Sequence, residues 1–251
     1  MNNIERFNNR VDYYLKYRPG YPLKIIEILK QETGFDETFD IADIGSGTGL
    51  LSKLFVNNGN IVYGVEPNNE MRKAAEKIFA NNYNFISIKG TAENTTLANE
   101  CVDLITAAQS FHWFNSEQAK DEFKRIIRKN GYVTIIFNVR KNNTPFMKAY
   151  NKLQENLNSD FKEVRLENIT RKHISDFFNG KKFTEKHIDN SQELDYPSLR
   201  GRFLSCSYVP LSGAENKRAL KELKSIFDKY NNKNKIVIEY ITKIYIGKLQ
   251  K

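Results

Sequence analysis

The residues best able to do chemistry lie in IADIGSGTGLL at 41–51, where Gly45, Gly47 and Gly49 alternate just after an acid, Asp43. An apolar run that ends in glycines and turns into a helix lets the backbone turn tightly and approach a ligand closely. It also offers that ligand the free N–H groups of the helix start. A dinucleotide fingerprint would put its third glycine at position 50, where this chain has Leu50. Asp43 stands inside the apolar run, where a carboxylate is costly unless paired or hydrogen-bonded. Such an acid repels a pyrophosphate and suits an ammonium, so a nicotinamide oxidoreductase is disfavoured. A second acid, Glu66, ends the next apolar run and precedes Pro67. From there it is placed to accept both hydroxyls of a ribose, the alternative being a cap on the turn at Pro67. The two acids around the glycine turn describe a pocket for a nucleoside that bears a cation.

Positioning these groups requires alternating elements. Apolar runs at 40–45, 60–66, 83–89, 101–108 and 131–138 read as strands, and helical periodicity covers 48–58, 69–81 and 116–130. That alternation predicts an α/β, doubly wound, Rossmann-like and mostly parallel sheet. After residue 140 the pattern predicts helices at 145–158 and 161–179, a strand near 182–189 and helices near 196–205 and 214–230. The final KIVIEYITKIYIGKL at 235–249 alternates as a strand with one more exposed face, an antiparallel addition to the sheet.

Composition narrows the function classes. With 251 residues the chain buries a large core without staples, and two cysteines, Cys101 and Cys206, make neither a disulfide framework nor a zinc site. No metal is expected, and a reducing, cytoplasmic location is. The polar first residues hold no apolar leader core, and no long uncharged apolar run occurs, so secretion and membrane spanning are not expected. The net charge of +9 is uneven: residues 1–139 carry 16 Lys+Arg against 17 Asp+Glu, and residues 140–251 carry 23 against 13. The excess therefore belongs to the second half.

The stretches DIGSGTG, GVEP, GTAE at 90–93 and VDLITAAQSFHWF at 102–114 resemble class I S-adenosylmethionine-dependent methyltransferases. YRPGYP at 17–22, SCSYVP at 205–210 and the closing YITKIYIGKL are similar to the small-molecule branch that includes trans-aconitate methyltransferases. Asn115 after HWF, the proline-free IIRKNG and the FNVR at 137–140 depart from that branch. The resemblance implies a seven-stranded sheet with an antiparallel last strand and a helical cap inserted after strand five. It divides the chain into an N-terminal lid (1–38), a cofactor core (39–139), a cap on the acceptor side (140–210) and a last helix and strand (211–251). S-adenosyl-L-methionine is the implied cofactor. Asp43, Gly45, Ser46 and Gly47 would border its methionine part, with Gly49 completing the loop, and Glu66 beside Pro67 would hold the ribose. Met71 would pack near the adenine, or serve as plain core; Ala92 and Glu93 would flank the adenine edge, and Ala108 and Gln109 would meet the amino end.

Methyl transfer from a sulfonium is an in-line displacement, so the protein supplies alignment and water exclusion, and a base only for a protonated nucleophile. Acceptor-side candidates lie where a doubly wound sheet opens. His112, the catalytic candidate, either takes a proton or lines the pocket, and Trp113 either walls the site or joins the core. Asn138 and Arg140 end the fifth strand. Tyr13, Tyr14, Tyr17, Arg18 and Tyr21 suit a lid, or an amphipathic helix packed on the sheet edge. Arg140, Arg200 and Arg202 could match a carboxylate bidentately, so a small acidic acceptor is expected. An RNA or protein methyltransferase using the basic half is the alternative, although no RNA-binding signature is visible and nucleic acid is not expected. A protein that holds the cofactor without transferring methyl groups is a further reading. A monomer or homodimer is expected.

Overall fold

A computed structural model describes residues 9–157 and 171–249, so residues 161–170 of the helix expected at 161–179 lie outside the described residues. The sheet is built from β1 (Asp40–Ile44), β2 (Ile61–Val65), β3 (Phe85–Ile88), β4 (Val102–Ala108), β5 (Ile127–Arg140), β6 (Thr184–Leu194) and β7 (Ile236–Gly247). Their order is β3-β2-β1-β4-β5-β7-β6. The pairs among β1 to β5 are parallel, and β7 runs antiparallel to both β5 and β6. The expected doubly wound α/β sheet with an antiparallel last strand is thus what the chain forms.

Helices α1 (Val11–Tyr17), α2 (Lys24–Thr33), α3 (Ser52–Asn57), α4 (Asn69–Ile78) and α5 (Ser116–Ile126) belong to the first half. Side chains of Asn68 and Asn115 cap α4 and α5 by accepting from Met71 N–H and Gln118 N–H. One face of the sheet buries Ile44, Val65, Ile105, Phe123 and Phe177, and the other buries Leu29, Ile41, Phe55, Val62 and Ile244. Both faces being covered explains the near-continuous apolar strands.

Two elements differ from the sequence reading. Helical periodicity runs to residue 130, yet α5 stops at Ile126 and β5 begins at Ile127. Ile127 pairs with Val102, and Arg128 bonds Asp40 and Asp103, so tertiary contacts override the local pattern across a register shift. The strand expected near 182–189 continues to Leu194, because its polar second half pairs with β7 along an eleven-residue ladder.

The segment after β5 is therefore only partly helical. It holds α6 (Pro145–Leu157), α7 (Arg171–Phe177) and α8 (Tyr196–Leu204), but also the edge strand β6, and is followed by α9 (Gly213–Tyr230). A third core of Phe146, Tyr150, Leu199, Phe203, Leu223 and Tyr240 joins α6, α8 and α9 to the start of β7. Since Arg140 at the end of β5 pairs with Tyr240, this cap sits at the carboxyl edge of the parallel strands. There α1 packs on α8 so closely that a Cβ on Gly201 would overlap the Tyr17 ring.

Candidate functional site

The glycine loop follows β1 with φ of +68° at Gly45, +58° at Gly47 and +80° at Gly49. That left-handed region favours glycine. Space adds a separate reason at each end: a Cβ on Gly45 would sit 2.5 Å from Ser110 Cβ, and one on Gly49 would sit 2.6 Å from the Phe79 ring. Over Gly47 nothing lies within 4 Å, which leaves an open cradle. The loop is anchored to β2 by Gly45 N–H and Ser46 N–H, which both donate to the Val65 carbonyl.

That cradle opens into a cavity of about 350 Å³, lined among others by Gly45, Gly47, Glu66, Pro67, Met71 and Gln109. Glu66 is 8% exposed. Its Oε2 accepts from Gly47 N–H and its Oε1 from Asn68 N–H, both at 2.8 Å. Burial raises its pKa, against the opposing pull of those two N–H groups. Ala92, Glu93, Ala108 and Trp113 complete the part of the wall that the sequence singled out. Glu93 is held by Asn115 N–H.

Gln109 occupies a strained left-handed conformation, φ +57°, where its N–H donates to the Ile136 carbonyl. Its Nε2 donates to the Asn138 carbonyl, which leaves Oε1 buried without a partner. An orphaned amide oxygen in a cavity wall calls for a donor such as an ammonium.

Asp43, Ser46 and Gly49 do not line the cavity. Both carboxylate oxygens of Asp43 are engaged, Oδ2 by the Ser52 hydroxyl at 2.6 Å and Oδ1 by the Thr106 hydroxyl at 3.0 Å. Burial pushes this carboxyl up to about 6, and the two hydroxyls only partly offset it. Asp43 therefore fixes the loop to α3 and β4, with the hydrogen bonds that a carboxylate inside an apolar run requires. Ser46 Oγ turns toward Gly64, and Gly49 packs on Phe79.

The acceptor-side candidates divide. Of the tyrosines before β1, Tyr14 lines the cavity; Tyr17 is packed on α8, and Tyr21 lies against the core under α2. Arg18 stacks on the Tyr14 ring at 4.9 Å. Asn138 is a structural hub: its Oδ1 accepts from Thr242 and its Nδ2 donates to the Gly20 carbonyl, which pins the loop after α1. His112 lies in a single 3₁₀ turn, Phe111–Trp113, packs its ring against Trp113 with centroids 4.5 Å apart and planes tilted by 44°, and does not line the cavity. Burial lowers its pKa to about 4, so the imidazole is neutral near pH 7 and a weak base. Arg140 donates to Gln154 outside the cavity, and Arg200 is exposed.

Asn68, Thr91, Ser110 and Phe114 also line the cavity, and the sequence reading did not single them out. Asn68 follows GVEP directly, and Thr91, Ser110 and Phe114 lie inside GTAE and QSFHWF, so membership of or adjacency to those motifs was the available signal.

Among the described residues, no helix is long and apolar enough to cross a membrane, and no group of three His, Cys, Asp or Glu could hold a metal ion. Residues 42–135 match the family described as a methyltransferase domain. An uncharacterized methyltransferase of Schizosaccharomyces pombe is 32% identical over 151 residues, 59% of each chain. The chain thus spans about three fifths of the length of that relative. A Dictyostelium discoideum protein named as a methyltransferase is 27% identical over 226 residues, covering 88% of this chain and 84% of its own. A solved structure from Anaeromyxobacter dehalogenans, described as a type II methyltransferase, superposes with a TM-score of 0.69 at 18% identity, covering 93% of this chain and 99% of that one. That likeness is one of fold. The match at 42–135 spans the glycine loop, Glu66 and Gln109, so the residues around the cavity lie in the part of the chain that is similar to methyltransferase domains.

Proposed function

We propose that the protein transfers the methyl group of S-adenosyl-L-methionine to a small, anionic acceptor. The observation that carries the reading is Glu66, a buried carboxylate facing an open glycine cradle, with the orphaned Gln109 oxygen in the same wall. In this reading Glu66 accepts the ribose hydroxyls, Gln109 Oε1 accepts the ammonium, and Met71, Ala92 and Glu93 border the adenine. The cofactor supplies an electrophilic methyl on a sulfonium. The chain supplies alignment, with Tyr14 and Trp113 excluding water. A neutral His112 positions Trp113 through their tilted ring contact and leaves the acceptor to bring its own nucleophile.

Segments 17–22 and 205–210, which carry the likeness to trans-aconitate methyltransferases, are bonded to each other by Arg18 Nη2 and the Ser205 carbonyl. This contact supports a small-molecule site between lid and cap. Several basic residues that an RNA surface would need are spent on acids, as in Lys186–Glu32, Lys224–Asp228 and Lys235–Glu193. Titration with S-adenosyl-L-homocysteine tests the cofactor reading. Saturable heat and a raised Tm are expected, and neither appearing by ~1 mM ligand would overturn it.

A further inference from the structure

A second cluster lies across Tyr14 from the cavity. Tyr14 lines the cavity and carries Arg18 on its ring. Arg18 in turn belongs with Arg202 of α8, Arg140 at the end of β5, the phenols of Tyr150, Tyr208 and Tyr240, and Cys206, all within electrostatic range of one another or of Cys206. Few of the donors are used. Arg18 Nη2 donates to the Ser205 carbonyl, Arg140 Nη1 to Gln154 Oε1, and Arg202 to the Tyr240 hydroxyl, while its Nη1 reaches Ser205 Oγ and Cys206 Sγ only at 3.4 Å. Arg18 Nε, Arg202 Nε and the Tyr150 hydroxyl are buried with no partner.

Among the described residues the long-range ion pairs engage Arg128, Lys141, Arg171, Lys186 and Lys235, and none involves Arg18, Arg140 or Arg202. Arg202 is nonetheless 6% exposed and Tyr150 0%. Taking a cation out of water without a counter-ion is costly, and a planar guanidinium is shaped for an oxyanion. The thiol of Cys206 is a weak internal substitute: burial would raise its pKa, but Arg202 and Arg18 pull it below the ordinary thiol range.

We infer that Arg18, Arg140 and Arg202, with the Tyr150 hydroxyl, form a subsite for an oxyanion group, carboxylate or phosphate, at one end of the methyl acceptor. The assignment rests on the methyl-transfer reading and deepens it by naming what holds the acceptor. Burial also selects the kind of anion. A terminal group can enter such a site, whereas an internal phosphodiester continues on both sides and cannot.

The test titrates the protein, with and without bound S-adenosyl-L-homocysteine, with succinate, inorganic phosphate and neutral succinamide at constant ionic strength, read by calorimetry. Saturable binding of succinate or phosphate, and none of succinamide, is expected. Arg140→Gln and Arg202→Lys should each weaken that binding about tenfold or more, and Arg200→Gln should leave it unchanged. Each variant's affinity for S-adenosyl-L-homocysteine reports whether it has folded, and Arg140→Gln at the sheet edge serves if Arg202→Lys does not fold. No saturable binding of either anion, full binding in Arg140→Gln, or an equal loss in Arg200→Gln overturns the assignment. Normal S-adenosyl-L-homocysteine binding beside a failed anion titration removes this inference alone; failure of both removes the functional reading as well.

Discussion

Replacing Asp43 with Asn should make the protein more stable at neutral pH. The carboxyl is 1% exposed, and burial, partly offset by the Ser52 and Thr106 hydroxyls, lifts its pKa from 3.8 to about 6. A group whose folded pKa is raised adds nothing below its unfolded pKa, where both states are protonated. Above that pKa the unfolded chain releases its proton first, so stability falls with rising pH until the folded group has ionised too. The shift corresponds to about 3 kcal/mol, all of it lost above about pH 6 and about half by pH 5. An amide can still accept one hydroxyl hydrogen and donate to the other oxygen, so its polar partners survive. Urea unfolding of both proteins from pH 4 to 8 should show Asp43→Asn the more stable by about 2–3 kcal/mol at pH 7 and nearly equal at pH 4. A less stable variant at pH 7, with a gap that does not change with pH, would refute the claim that burial dominates at this carboxyl.

Glu66→Gln should weaken S-adenosyl-L-homocysteine binding by about ten- to a hundredfold, the loss of charge-assisted hydrogen bonds, while the fold survives; calorimetry beside a melting curve separates the two. Gly49→Ala should cost about 2–4 kcal/mol in urea unfolding, because positive φ and the Phe79 ring both oppose a Cβ. Gly47→Ala should cost about 1–2 kcal/mol from φ alone yet lower cofactor affinity further than its stability loss explains. Equal unfolding penalties at the two positions would contradict the packing described around the loop.

The parallel half of the fold was legible because each strand is apolar throughout and closes on a turn residue, a signal that needs no knowledge of neighbours. The end of α5 was not, since Arg125, Ile126 and Ile127 continue a helical pattern and only pairing with Val102 converts Ile127 to strand. The second half of β6, DNSQEL, is polar, and its strand state comes entirely from β7. Within the site, Glu66 and the glycines could be found from spacing. The engagement of Asp43 could not, because Ser52 and Thr106 reach it from two other elements. Likewise the charge count pointed to Arg140, Arg200 and Arg202 alike, and only helix phase tells the buried Arg202 from the exposed Arg200.

The strand β6 closes the sheet at its outer side, and among the described residues no further strand pairs with it. An open margin eleven residues long is a template on which another chain could build. Glu185, Lys186, Asp189 and Glu193 punctuate it with charges of both signs, which makes the addition of a like strand costly. Colloidal behaviour thus depends on the same stretch whose polarity hid it from a sequence reading. Neutralising those side chains would leave each molecule folded and turn its border into a seed for aggregation.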